Sequence, residues 1–290
     1  MELNTLNISK SNLAKRNAIN IIMLTLCIVS AMIAIVPLFY IFFYTATAGL
    51  SSINLDFLTQ LPKPVGEAGG GMANAIVGSM IIIGIGSLFG IPIGLLSGIY
   101  VAEYSKTFFS NIIKFVTDVL SGVPSIIIGI FVYGIVVLPM HRFSAYAGGI
   151  ALGIIMIPTV TRITEEMLKL VPTSLREASL ALGISRWKTT FMIVLRTASG
   201  GIITGILLAV SRVAGETAPL LFTSFGNTFW SNSLDSPMAS LPVQIFNYAI
   251  SPYEEWHRKA WAGAFVLVFI VFVISIVVRI VTRNKFSQNL

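Results

Sequence analysis

Long apolar stretches broken by short polar and charged clusters dominate this chain. Six of them, at 18–45, 72–101, 112–138, 146–161, 200–222 and 260–280, run without polar alternation. A bilayer core of about 30 Å is crossed by about 20 apolar residues in a helix, so the pattern predicts six membrane-spanning helices. A transmembrane β-barrel needs period-two segments separated by turns, and the runs 81–85 and 126–137 have no such period. The expected fold class is therefore an all-α membrane protein.

Between the spans the pattern leaves a tail at 1–17, a connection at 46–71, polar loops at 165–199 and 223–259, and a tail at 283–290. The main bundle is expected at 72–282, set off from the first span by Pro62, Pro64 and a Gly69-Gly70-Gly71 hinge. In the second loop the apolar run 241–250 is too short to cross, so an interfacial or re-entrant segment is expected there, with Trp230, Tyr253 and Trp256 near the headgroups.

Composition agrees: 55% of the residues are hydrophobic and 11% charged, with a mean hydropathy of +0.87. Soluble domains carry about 25% charged residues. In the six-span reading Lys10, Lys15, Arg16, Lys106, Lys114, Arg162, Lys169, Arg176, Arg186, Lys188, Arg196, Arg279, Arg283 and Lys285 fall on one side of the membrane. Only Lys63, Arg142, Arg258 and Lys259 fall on the other. Cationic loops stay cytoplasmic, so both termini are expected there. The net charge of +7 is then topogenic, and no nucleic-acid partner is inferred. Ala46-Thr47-Ala48 imitates a signal-peptidase site, but the apolar run before it is too long for a secretory signal, and the first span is expected to remain as an anchor.

Catalytic chemistry has little to stand on. The two histidines, His141 and His257, fall in expected outer loops, away from any intramembrane nucleophile, and the single cysteine, Cys27, has no metal-ligand neighbours. Gly86, Gly90, Gly94 and Gly98 recur every four residues, which places them along one helical face where another backbone can approach. They lack the strand, Lys and Ser or Thr of a phosphate-cradling loop, so they read as a packing seam. Pro92, Pro124 and Pro158 are expected to kink their helices.

Two places hold candidate chemistry. In the loop 165–199, Ser174 to Glu177 fits a capping box, Gly183 a helix stop, and Ser185 the cap of a second helix. On the first short helix Leu175, Ala178 or Ser179, and Leu182 share a face that suits a partner's groove, or else the headgroup layer. In the fifth span Arg212 and Glu216 lie four apart, placed to pair on one helical face in the outer half of the membrane. Gly215 and Pro219 beside them invite local unwinding, and a purely structural ion pair is the other reading. Glu103 and Asp118 lie near span ends, close to water, and are given no transport role.

Glu177-Ala178-Ser179, three residues, Gly183, nine residues, then Ile193-Val194-Leu195 resembles the Glu-Ala-Ala…Gly…Ile-x-Leu-Pro loop of bacterial ABC-importer permeases, with Ser179 for the second Ala and Arg196 for the Pro. The segment from Ala209 through Arg212, Glu216 and Pro219 to Phe222 is similar to the A-type membrane subunits of phosphate-specific (Pst) importers. That likeness also takes in Gly69 to Ala75, Pro158, Arg162, Leu168 to Pro172, Leu241-Pro242 and Ser251-Pro252.

The resemblance implies a type I ABC-importer permease bundle (MetI-like), a C-type permease partner, two copies of a cytoplasmic ATPase that holds the ATP and Mg, and an external phosphate-binding protein. It implies that Glu177, Ala178, Ser179 and Gly183 meet the ATPase, and that Arg212 and Glu216 line the path of inorganic phosphate. No cofactor is expected on this chain. The planar fork of Arg suits a phosphate, and a carboxylate can accept a proton-bearing phosphate oxygen where sulfate has none to offer. An ion-coupled secondary anion transporter, or an ABC permease for another oxyanion, is the alternative; the first would leave the loop 177–183 without a task.

Overall fold

A computed structural model describes residues 10–67 and 69–286, so the expected tails fall outside the described residues at 1–9 and 287–290. Among the described residues every regular element is helical. Five helices are long and apolar enough to cross a membrane, and a bent pair makes a sixth where it acts as one broken span.

Helix α1 (Lys10–Gly49) is apolar on all sides, and its residues 15–44 are exposed throughout. Its C-terminal part meets α13 (Glu254–Phe286), with Phe42 against Phe265 and Tyr44 against Trp261. Thr45 and Gly49 are buried there, and a Cβ on Gly49 would stand 2.7 Å from the Trp261 carbonyl oxygen. After a 3-10 turn comes the short α2 (Leu55–Thr59), capped by Asn54, whose Oδ1 accepts the Phe57 N–H at 2.7 Å. The expected glycine hinge is instead a fixed seat: the Gly71 and Met72 N–H groups donate to the Leu61 and Phe57 carbonyls at 3.0 and 2.9 Å. A side chain on Gly71 would collide with the Phe57 backbone, at 2.3 Å, so glycine here permits close approach rather than motion.

Helix α3 (Ala73–Glu103) runs uninterrupted through Pro92 and packs along α7 (Ala145–Lys169), which likewise runs through Pro158. Gly86 and Gly90 face the Gly149 and Gly153 carbonyls, where a Cβ would stand at 2.9 Å in both cases. Gly94 meets Val160 and Gly98 meets the Thr161 carbonyl, at 2.7 and 2.6 Å. With no side chains between them the two backbones touch, the geometry that drives helix association where lipid gives no hydrophobic incentive.

The expected third span is not one helix. Helix α4 (Phe108–Gly122) and helix α5 (Ser125–Val132), the latter continued by a π turn (Tyr133–Val137) and α6 (Leu138–Met140), meet at 105°. Pro124 has no N–H to donate and holds Val123 extended, at φ −74° and ψ 128°, so the turn falls there. Helix α4 turns Ser110 and Thr117 inward and leaves Phe108, Phe109, Ile112, Phe115, Val116 and Val119 exposed on its other side. Arg162 of α7 bridges to Asp118 of α4, and Lys114 reaches Glu165 at 3.6 Å.

Past α7 come α8 (Thr173–Ala181), α9 (Arg186–Lys188), a π segment (Thr189–Val194) and α10 (Leu195–Ala214). The chain then breaks, forms α11 (Ala218–Thr223), a long loop and α12 (Leu241–Ala249), and ends in α13 (Glu254–Phe286). The core has a middle cluster around Ile82, Ile128, Leu152, Met156 and Val213. A second cluster, around Phe57, Met72, Leu241 and Ala262, holds the α12 end, and a third, around Ile99, Leu168, Val194 and Ile202, the α8 end. In the long loop Arg142 meets Asp235 at 2.9 Å. The Ser233 hydroxyl donating to it, with the Arg142 guanidinium beside it, holds the Asp235 carboxyl below the usual carboxylate range.

Candidate functional site

Arg212 stands in the last turn of α10, where the unpaired carbonyls at the helix end favour a cation. Its position is exposed on this chain, beside the exposed Leu208, so the guanidinium looks outward from the bundle. Two residues later the helix stops: Gly215 and Glu216 donate back to the Arg212 and Val213 carbonyls at 3.3 and 3.2 Å, and α11 starts with Pro219 in its first turn. Glu216 therefore sits half-buried in the break between two helices. The expected one-face pair is not formed, because i,i+4 contact needs an unbroken helix. Among the described residues neither side chain has a hydrogen bond or ion pair. The break is braced from behind by α5, where Gly129 lies against Pro219, a Cβ there standing 2.6 Å from the Pro219 Cα.

The hairpin at the other end of the bundle begins two residues earlier than expected, at Thr173, with Pro172 before it. Ser174 is thus inside the helix, and the expected capping box is absent. The stop is as expected. Gly183 takes φ +76°, its N–H meets the Leu180 carbonyl at 2.9 Å, and the Ile184 N–H meets that of Ser179 at 3.2 Å, a Schellman closure. Ser185 precedes α9 as expected, without a side-chain cap.

Leu175, Glu177, Ala178 and Leu182 are exposed, Leu182 by 80%. Ser179 is not among them: it is 3% exposed, and its hydroxyl lies 2.8 Å from that of Thr189. The residue that departs from the Glu-Ala-Ala pattern therefore faces its own protein. Sequence reasoning assigned Glu103 no role, yet Arg176 reaches it across 73 positions at 3.0 Å. Lys106, three residues after Glu103, offered a nearer cation, so nothing in the sequence pointed to Arg176 as its partner.

Residues 90–285 match the family model described as the binding-protein-dependent transport system inner membrane component. The chain belongs to that family. Among its permeases, the phosphate transport system permease protein PstA of Yersinia pestis is 45% identical over 273 residues, 94% of this chain and 92% of that protein. The permease fold also recurs at low identity in solved structures. An inward-facing MetNI methionine ABC transporter matches with a TM-score of 0.58 at 17% identity, covering 73% of this chain and 92% of that one. A bacterial ABC transporter involved in the import of the acidic polysaccharide alginate matches with a TM-score of 0.58 at 13% identity, over 93% and 96%. The fold is thus that of the MetI-type importer permeases, and the chain is a multi-pass inner-membrane permease component without catalysis of its own. Such a component works with an ATPase and a binding protein on other chains.

Proposed function

We propose that this chain is the A-type transmembrane subunit of an ATP-driven importer of inorganic phosphate, the solute named for its PstA relatives. The observation that carries the path is Arg212: a cation in an apolar helix, exposed, with no hydrogen-bond or ion-pair partner among the described residues. An Arg at the centre of a bilayer costs about 2.5 to 3.5 kcal/mol on insertion scales, so it faces another subunit or a wet path rather than lipid. A planar guanidinium grips two phosphate oxygens at once. Glu216, set in the helix break a few residues on, moderates that grip and accepts a hydrogen bond from a protonated phosphate.

A C-type permease subunit completes the path, two copies of a cytoplasmic ATPase carry ATP and Mg, and an external phosphate-binding protein delivers the anion. The permease core is 72–282. The α8 end, rich in Lys106, Lys114, Arg162, Lys169, Arg186, Lys188 and Arg196, is cytoplasmic, as are both termini; the α12 end, with Lys63, Arg142, Arg258 and Lys259, faces out. The exposed face of Leu175, Glu177, Ala178 and Leu182, closed by Gly183, receives the ATPase.

The test is phosphate uptake into proteoliposomes holding the co-expressed complex, wild type beside Arg212→Gln, with sulfate as competitor. Uptake that requires ATP, resists sulfate and falls at least about tenfold in the variant is expected, since a lost charge-assisted pair removes 1.5 to 3 kcal/mol or about that much. Uptake without ATP would favour the secondary transporter, and normal flux in the variant would remove Arg212 from the path.

A further inference from the structure

Of the nine residues of α8, seven are exposed. The two that are not, Arg176 and Ser179, make its side-chain links to the bundle. Beside these links an open groove of about 200 Å³ is lined by Glu103, Tyr104, Arg176, Leu180, Arg186 and Thr189, among others. The helix thus rests on two side-chain posts.

The Arg176 post joins three elements through one planar group. Its Nη2 donates to Glu103 Oε1 at 3.0 Å and to the Leu168 carbonyl at 2.9 Å, and its Nη1 donates to the Val171 carbonyl at 3.0 Å. Glu103 ends α3, and Leu168 and Val171 lie at the exit of α7, where the Leu168 carbonyl also accepts the Val171 N–H at 3.3 Å. Both charged side chains are largely shielded, 23% and 19% exposed, so the contact is less screened than a surface pair. The Ser179 post passes to Thr189, the first residue of the π segment that leads into α10.

We propose that Arg176, through Glu103 and the α7 carbonyls, is the positioning residue that carries a displacement of α8 into the α3–α7 pair, so that ATP use and phosphate passage stay in step. This rests on the reading of α8 as the ATPase seat. A displacement pressed on the exposed face of α8 has two rigid routes inward. One leads to the glycine seam, the other to the helix bearing Arg212. Lysine in place of Arg176 keeps the charge but is a single point, and it loses the fork that reaches Glu103 and two carbonyls together.

The experiment measures phosphate taken up per ATP hydrolysed by the reconstituted complex, for wild type, Arg176→Lys, Glu103→Gln and the double variant, with Glu177→Lys as a control on the seat. Arg176→Lys and Glu103→Gln are each expected to leave complex recovery and ATP hydrolysis near wild type while lowering uptake per ATP by about tenfold. The double variant should fall no further than the worse single one, as for residues that act as a unit. Unchanged uptake per ATP in both single variants would overturn the linkage, as would full additivity in the double. Loss of assembly in both would overturn it too, by making the pair a folding element. Should Glu177→Lys bind the ATPase normally, the seat itself fails, a result separate from the linkage.

Discussion

Ser179 shows how one side chain can belong to a recognisable motif and do a different job from its neighbours. Glu177 and Ala178 face outward, whereas Ser179 is turned in against Thr189, whose hydroxyl also reaches the Ser185 carbonyl at 3.3 Å. Because Thr189 keeps that second partner, Ser179→Ala should cost only about 1 kcal/mol. The expected result is a modest drop in the thermal midpoint of the purified protein with ATPase binding unchanged. Weakened ATPase binding would return Ser179 to the contact face. Asp235 makes a pH prediction at the same scale. Its carboxyl is lowered from 3.8, so the Arg142 latch contributes fully above that value and is lost as pH falls through the lowered one. The difference in thermal midpoint between wild type and Asp235→Asn should therefore hold between pH 7 and pH 5 and shrink toward pH 3, and it should be small and salt-sensitive because the pair is exposed.

At the scale of elements, the α3–α7 seam separates glycines that are needed from one that is not. A Cβ on Gly84 meets nothing within 4 Å, whereas one on Gly94 would stand 2.7 Å from the Val160 Cβ. Gly94→Leu should cost about 1 to 3 kcal/mol or more through overpacking, while Gly84→Leu should be close to neutral, as read by the yield and thermal midpoint of folded protein in detergent. The seam was legible in the sequence because a four-residue period maps directly onto a helical face. The break after Ala214 was legible in Gly215 and Pro219, but the pairing of Arg212 with Glu216 was not, since that inference needed the helix to continue. A kink at Pro124 was expected, but its size of 105° was not, because Gly122 to Ile128 is nearly all apolar or small and such a run reads alike whether gently bent or folded back. The sign that was present lay in α4, where Ser110, Thr117 and Ser121 share a face opposite five or more bulky apolar residues.

Across the whole molecule the charge distribution and the two functional ends make one arrangement: the proposed ATPase seat at the cationic end, the helix break with Arg212 at the other end of α10. Orientation is checked by labelling single cysteines in a Cys27→Ser background. A cysteine at Leu182 should react with an impermeant reagent only in inside-out vesicles, and one at Trp230 only in right-side-out vesicles. The reverse pattern would invert the topology. The all-helical class and five of the six expected spans followed from composition and run length, because insertion energetics depend on little else. The links between distant segments, Glu103 with Arg176 and Ser179 with Thr189, did not, because nothing in a linear string says which helix ends will meet.

The bare flank of α1 has a consequence for how the protein is made. Among the described residues its main packing partner is α13, a helix made much later, with Trp261 and Ala262 receiving Gly49. At about 5 to 20 residues per second, the roughly 210 residues between them take about 10 to 40 s to synthesise. Throughout that interval α1 sits in the bilayer tethered but undocked, so the bundle closes only after α13 is made, and a ribosome stalled short of Trp261 leaves α1 adrift.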